Sequence, residues 1–98
     1  MKGKKAYWVA TYQSLDDPAK HAAYAKIAAP VIAASGGRFL VRGTPIEAYE
    51  LGVKERTVVI EFDSLDAALA AHEAPAYKEA LAALEGGVRR DLRIIEGM

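Results

Sequence analysis

Residues Thr57–Phe62 constrain the fold more than any other part of the chain. Their β-branched and aromatic side chains are typical of a strand, and their near-continuous apolar character is typical of a strand covered on both faces. Because side chains alternate across a strand, Val58, Ile60 and Phe62 share one face and the intervening residues share the other. We expect helices to cover the first face, so the second face needs a different cover.

Regular structure is predicted on both sides of this segment. The residue patterns predict strands at Ala6–Tyr12, Arg38–Arg42, Thr57–Phe62 and Leu92–Glu96, a helix from Pro18 to Gly36-Gly37, and a helix from Ser64 to Gly86-Gly87 that Pro75 breaks. Asp17 and Ser64 are typical N-caps, and a glycine pair ends each helix. Residues 46–51 are either an extension of the second strand or a ragged edge. The order β-α-β-β-α-β predicts an α+β, ferredoxin-like fold with a four-stranded antiparallel sheet.

One face of that sheet has no cover of its own. With both helices on one face, Val59 and one set of first-strand residues lie on the other, and this is more apolar surface than a monomer usually exposes. We therefore expect a homodimer in which two sheets face each other, as in a dimeric α/β-barrel. A chain of 98 residues is expected to form a single domain over 1–98.

Composition narrows the class of protein. The 13 basic and 13 acidic residues cancel, which argues against a nucleic-acid or membrane-surface partner. The absence of cysteine excludes disulfides, thiolate metal sites and a cysteine nucleophile. No apolar run approaches the roughly 20 residues that span a bilayer. We predict a soluble cytoplasmic protein.

Charged residues on the second and third strands are the first candidates for a ligand site. Strand alternation places Arg38 and Arg42 on one face of the second strand, and Glu61 is expected beside them in the space between subunits. Arginine binds carboxylates in a bidentate manner, so the three residues predict a pocket for an anion in which Glu61 orients Arg42. The alternative is a structural ion-pair network that fixes the register of the dimer.

Histidines and tyrosines are the second group of candidates. His72 lies on an apolar helix face before Pro75. It is expected either to be a half-buried histidine whose hydrogen bonds are satisfied or, in an enzyme, to be the best candidate for a catalytic proton-transfer group. His21, near a helix start, is expected to be a solvated surface residue. Tyr24 is expected either in the core or at a cleft between helix and sheet, where its hydroxyl orients a ligand. No His-x-x-x-His or His-Glu-x-x-His pattern is present, so no metal site is predicted.

The chain also resembles the domain-of-unknown-function 1330 family over nearly its whole length. The resemblance rests on Ala6-Tyr7-Trp8, the Asp17-Pro18 step, Tyr24, Ala29-Pro30, Gly36 to Gly43, Val59 to Phe62 before Ser64, Ala74 to Tyr77, and Glu96-Gly97. It implies a ferredoxin-like subunit of the dimeric α/β-barrel kind and no established activity. Related dimeric barrels include small monooxygenases, haem-degrading enzymes and lactone isomerases, which bind flat apolar ligands between sheet and helices.

Three functions remain open at this point. The first is a homodimer that binds a small anionic or aromatic metabolite through Arg38, Arg42, Glu61 and Tyr24. The second is a small monooxygenase, either cofactor-free or haem-dependent, although no histidine is obviously placed as a haem ligand. The third is a structural or interaction protein without catalysis. No cofactor is predicted.

Overall fold

The computed structural model describes residues 3–98; Met1 and Lys2, which the predicted domain includes, lie outside the described residues. Its elements are β1 (Ala6–Leu15), α1 (Pro18–Ala34), β2 (Arg38–Gly43), β3 (Thr57–Phe62), α2 (Leu65–Glu73), α3 (Pro75–Leu84) and β4 (Val88–Glu96). The strands form one antiparallel sheet in the order β2-β3-β1-β4. This confirms the predicted ferredoxin-like arrangement.

The first and last strands of the chain are longer than their hydropathy predicts. β1 and β4 pair from Ala6 opposite Glu96 to Leu15 opposite Val88, with an irregularity between Tyr12 and Ser14. The residues of β1 and β4 that lie beyond the predicted bounds are largely polar. They belong to the strands because their backbones pair with each other, and they show no apolar pattern that would predict this. This extension brings Arg90 into β4, opposite Tyr12.

The ends of the helices follow from local sequence. The Asp17 carboxylate accepts hydrogen bonds from the first turn of α1, and the Ser64 hydroxyl accepts one from Ala67, which confirms both predicted caps. Gly36 ends α1 with φ of +88°, a left-handed conformation that favours glycine. At Gly37 a Cβ atom would lie 2.6 Å from Ile32 Cγ2, so the approach of helix and strand requires a residue without a side chain.

A bulge in β2 overturns the predicted faces of its arginines. Arg38 lies opposite Glu61 and Phe39 opposite Ile60, but Leu40 is extra, and the register resumes with Val41 opposite Val59. An extra residue reverses the alternation of side chains beyond it. The prediction that Arg38 and Arg42 share a face is therefore wrong. Arg42 lies opposite Val58, on the side of the sheet that faces the helices.

The two faces of the sheet differ in cover. The helix-facing side carries the core, in which Trp8, Phe62 and Tyr77 are the largest fully buried side chains. On the other side, which we call the open face, Val9, Val59 and Val41 form a row across three strands. Val41 is 49 % exposed. The open face therefore retains apolar surface, as the sequence predicts.

Residues 44–56 connect β2 to β3 and hold four exposed large apolar side chains, of which Val53 is the least exposed. Ile46, Tyr49 and Leu51 are exposed by 89 %, 77 % and 97 %. The segment forms no strand, so of the two predicted alternatives the ragged edge is the one found. Within residues 3–98, no helix has the length and apolar character that a bilayer crossing requires.

Candidate functional site: a cavity between α1 and the sheet

A cavity of about 50 Å³ lies between α1 and the helix-facing side of the sheet. Its apolar wall is formed by Trp8, Ala10, Ala25, Ala28, Ala29, Ile32, Phe39, Val58, Ile60 and Leu92, and its polar lining by Tyr12, His21, Tyr24, Arg42, Arg56 and Arg90. Two of the lining residues, Phe39 and Arg42, belong to the edge strand β2. The part of the cavity that they line therefore lies at the edge of the sheet. Of the described residues that line the cavity, none is an aspartate or a glutamate.

Arg90 is the centre of the polar lining. Its Nη1 atom donates to the Tyr12 hydroxyl at 3.2 Å and to the Tyr24 hydroxyl at 3.4 Å, and its Nη2 atom donates to the Tyr77 hydroxyl at 3.3 Å. The hydroxyls of Tyr24 and Tyr77 also contact each other at 2.8 Å. The guanidinium lies over the Tyr24 ring, 4.9 Å from its centroid. One cation is thus held by three neutral phenols.

The positive charge of Arg90 has no anionic partner in the described part of the chain. No carboxylate of residues 3–98 forms an ion pair with Arg90, although the side chain is half-buried. Burial acts to lower the pKa of Arg90, but the phenol oxygens of Tyr24, Tyr77 and Tyr12 outweigh it, so the pKa is raised. Burial raises the pKa of Tyr77 as well, and Tyr24 adds to that rise. The cluster therefore holds a fixed positive charge among three phenol hydroxyls.

His21 extends this cluster. Its Nε2 atom lies 3.2 Å from the Tyr12 hydroxyl, and its ring packs edge-on against the Tyr12 ring. The side chain is half-buried, so the prediction of a solvated surface residue is wrong: the first turns of α1 lie directly over the end of β1. Burial lowers the pKa of His21, and the nearby charges of Arg56 and Arg90 lower it further. His21 is accordingly neutral at pH 7.

Arg56 brings a second cation to the same end of the cavity. Its backbone carbonyl accepts a hydrogen bond from the Tyr12 amide at 3.0 Å, which places Arg56 and Arg90 on opposite sides of β1. The Nε atom of Arg56 is buried and, within residues 3–98, has no hydrogen-bond partner. An unpaired buried donor is costly and rare, so this atom marks a place where an acceptor is missing.

The structure does not bring together the four ligand-binding residues that the sequence predicts at one site. Tyr24 and Arg42 line the cavity. Arg38 and Glu61 lie on the open face, where Arg38 donates to Glu61 at 2.9 Å and to Asp63 at 3.0 Å. Glu61 therefore orients Arg38 rather than Arg42, and it also accepts a hydrogen bond from Tyr7 at 3.0 Å.

His72 lies on the far side of the core tryptophan. Its ring contacts the Trp8 ring edge-on with centroids 5.6 Å apart, and its Nδ1 atom is 3.5 Å from Glu73 Oε2. The residue is half-buried and is not part of the cavity lining. The structure thus does not bring His72 together with Arg42 and Tyr24, and its catalytic role stays a prediction.

Sequence reasoning missed Arg56 and Arg90 entirely and gave Tyr12 and His21 no role. The available signal was strand alternation, because extending β4 toward Val88 puts Arg90 on the same face as the apolar residues Leu92 and Ile94. The described residues contain no group of three or more histidine, cysteine, aspartate or glutamate side chains that could hold a metal ion.

Comparisons with known proteins agree with the fold. The model of a family described as "Domain of unknown function (DUF1330)" matches residues 5–98, which confirms the resemblance drawn from the residues. No curated protein matches the sequence. The family match therefore comes without an activity.

Solved structures with the same architecture are distant in sequence. A protein of unknown function from Rhodopseudomonas palustris has a TM-score of 0.76 and 17 % identity over 97 % of this chain and 83 % of that chain. A dimeric ferredoxin-like protein of unknown function from Thermobifida fusca has a TM-score of 0.65 and 17 % identity over 97 % and 92 % of the two chains. SnoaB, a cofactor-independent oxygenase from Streptomyces nogalater, has a TM-score of 0.66 and 16 % identity over 98 % and 95 %. At these identities the likeness shows the fold alone.

Proposed function

The chain belongs to the DUF1330 family of unknown function, and from the geometry of the cavity we propose that this member binds a small organic anion between α1 and the sheet. The observation that carries the proposal is the charge of Arg90, which is half-buried and surrounded by phenols without a carboxylate from residues 3–98. Arginine is rarely buried without an anion, because desolvating an unpaired charge is costly. A bound anion supplies the missing charge.

Arg90 retains the donors that such a ligand needs. A guanidinium has five N–H groups, and the three tyrosines take two on Nη1 and one on Nη2. Within residues 3–98 the Nε–H group and one Nη2–H group remain. Because the Tyr77 hydroxyl lies 2.8 Å from the Tyr24 hydroxyl, which Nη1 contacts, we infer that Tyr77 takes the Nη2 hydrogen nearer Nη1 and that the remaining one lies beside Nε–H. That pair matches the two oxygens of a carboxylate.

The size and polarity of the cavity indicate the shape of the ligand. A cavity of about 50 Å³ holds on the order of four water molecules, which is the size of a carboxylate with its neighbouring atoms. The rest of the ligand extends along the apolar wall past Phe39 toward the edge of the sheet. A flat apolar or aromatic body with an anionic head fits this lining, and Arg42 and Tyr24 contact the body.

Binding can be measured through Trp8, which lines the cavity and is the single tryptophan of the sequence. We expect benzoate and phenylpyruvate to change its fluorescence saturably at pH 7, and benzyl alcohol, which lacks the charge, to have no saturable effect. Arg90→Gln should weaken benzoate binding about 10- to 100-fold, the value of a charge-assisted hydrogen bond.

Arg93→Gln is the matched control, because Arg93 is on the same strand but on the open face. It should bind benzoate as the wild type does. The proposal fails if no carboxylate binds saturably, or if the Arg90 and Arg93 variants bind equally well.

We further propose that the chain forms a homodimer through the open face. The row of Val9, Val59 and Val41 and the exposed side chains of residues 44–56 are apolar surface that a second copy would cover. A concave space of about 410 Å³ lies between residues 45–53 and this end of the sheet and has room for side chains of a partner. The dimeric protein from Thermobifida fusca has the same fold. Native mass spectrometry should give twice the chain mass, and a monomer would contradict the proposal.

A further inference from the structure

The hydrogen bond between Arg90 and Tyr12 has a fixed direction. Arginine can only donate, so the Tyr12 oxygen accepts from Arg90 at 3.2 Å. The hydroxyl hydrogen of Tyr12 is then free to point at His21 Nε2, also 3.2 Å away. In the tautomer of the neutral imidazole that carries its hydrogen on Nδ1, Nε2 accepts this hydrogen bond.

The surroundings keep His21 in the neutral form, which is the form that can accept a proton. The charged and titratable groups that face it are Tyr12 from β1, Tyr24 from its own helix, Arg90 from β4 and Arg56 from the connection before β3. No carboxylate is among them, so nothing holds the imidazole in its charged form. A neutral imidazole hydrogen-bonded to a phenol is an arrangement for general acid–base chemistry.

We propose that this pair transfers protons: Tyr12, backed by His21, removes a proton from the carbon next to the carbonyl group of a keto acid whose carboxylate Arg90 holds. The inference rests on the proposed anion site and adds a reaction and a substrate class to it. Tyr12 lines the cavity and would touch the substrate, whereas His21 acts through Tyr12.

The step is balanced within the site. As the C–H bond breaks, its proton passes to the Tyr12 oxygen, and the proton of Tyr12 passes to His21 Nε2. The electron pair of the C–H bond becomes the C=C bond of an enolate, and the carbonyl oxygen takes the negative charge. Once the protons held by Tyr12 and His21 have exchanged with solvent, delivery of a solvent proton through Tyr12 to the same carbon gives isotope exchange, and delivery to another carbon of the conjugated system gives an isomer. No oxidant or reductant is consumed.

Arg56 is placed to assist this step. Its buried Nε atom lacks a partner in residues 3–98, and its side chain lines the cavity across β1 from Arg90. An enolate oxygen carries more charge than the carbonyl oxygen from which it forms. A donor that is unpaired before the reaction therefore stabilises the enolate more than the substrate.

Phenylpyruvate in D2O provides the test, because its benzylic protons are next to a ketone and their loss is visible by proton NMR. We expect the wild type to accelerate deuterium incorporation above the buffer rate. Tyr12→Phe and His21→Gln should each reduce that acceleration about 100-fold. Arg93→Gln should leave it unchanged, and melting curves establish that each variant is folded.

A pH profile separates proton acceptance from a structural role of His21. In the wild type, exchange should fall as the pH drops through the pKa of His21, which lies below the ordinary value of 6.5. That fall should be absent from the residual exchange of His21→Gln. Equal wild-type and variant profiles would overturn the inference.

The outcomes distinguish this inference from the binding proposal. If benzoate and phenylpyruvate quench Trp8 saturably but exchange stays at the buffer rate, or if both variants exchange as fast as the wild type, proton transfer is wrong and anion binding stands. If neither ligand binds, both proposals are wrong.

Discussion

Two arginines on opposite faces of the same sheet differ in the charge of their hydrogen-bond partners. On the open face, Arg38 donates to Glu61 and Asp63, so its charge is balanced by its own chain. On the helix-facing side, Arg90 donates to three phenols and forms no ion pair within residues 3–98. The more exposed cation is the one that is neutralised.

The difference indicates which of the two positive charges lacks a carboxylate partner within residues 3–98, namely that of Arg90. The two carboxylates beside Arg38 already balance its charge, so an anion from outside the protein would gain little by binding there. This is typical of a structural ion pair. At Arg90 the hydroxyl groups of Tyr12 and Tyr24 accept hydrogen bonds from the cation without neutralising its charge, which is what the proposed anion site requires. The sequence left two alternatives open for Arg38, Arg42 and Glu61; of these residues, Arg38 and Glu61 form an ion pair. The anion site that we propose is built instead on Arg90, which is not among the residues predicted from the sequence.

The largest effect is expected from an uncompensated charge on the open face, because it tests whether a second copy covers that face. Val59→Asp puts a carboxylate in the middle of the row formed with Val9 and Val41. Burying it against a second copy costs several kcal/mol, so the dimer dissociation constant should rise more than about 100-fold. Sedimentation velocity across a concentration series measures the change.

Leu69→Asp is the control for this substitution, because Leu69 is a half-exposed apolar residue on α2, away from the open face. It should remain dimeric. A dimer that tolerates Val59→Asp, or one that Leu69→Asp dissociates, would move the interface off the sheet.

Most of the fold was predictable from local pattern. The apolar run of β3, the caps at Asp17 and Ser64 and the left-handed Gly36 are short-range signals, and each is found in the structure. The full length of β1 and β4 was not predictable in this way, because polar residues there are held by pairing with a distant strand. The single-domain assignment and the cytoplasmic location stay predictions.

The site was less predictable, for two physical reasons. The bulge at Leu40 carries no local signature, yet it moves Arg42 from the open face to the cavity. The cluster around Arg90 joins residues from four elements, and Tyr12 and Arg90 are 78 positions apart in sequence. Of the predicted ligand residues, Tyr24 and Arg42 reach the cavity and Arg38 and Glu61 do not.

Stability offers a sharper test of the two arginines, because their replacement should have effects of opposite sign. Arg90→Met removes a half-buried charge without an anion, while Tyr24 and Tyr77 keep each other as partners and Tyr12 keeps His21. We expect the unliganded variant to be as stable as the wild type or more stable by about 1 kcal/mol. Arg38→Met loses surface ion pairs and should be slightly less stable than the wild type.

Urea unfolding at pH 7, at one protein concentration, measures both variants. If Arg90→Met is the less stable of the two, Arg90 serves mainly to hold the tyrosines together, and its missing counter-ion no longer argues for a ligand.

The smallest expected effect separates the two faces by pH. Hydrogen bonds from Arg38 lower the pKa of Glu61 and of Asp63 below their usual 4.5 and 3.8. Their contribution to stability is complete above those values and is lost as the pH falls through the lowered pKa values, because the unfolded chain binds protons first. On the other face, burial lowers the pKa of His21 below 6.5, so stability should already decline as the pH falls below that value.

Thermal melts from pH 8 to pH 3 should therefore show two separate declines in stability. His21→Gln should remove the upper decline and Arg38→Gln should weaken the lower one. If one substitution changes both declines, the two faces of the sheet are coupled, and the arginines cannot be treated as independent sites.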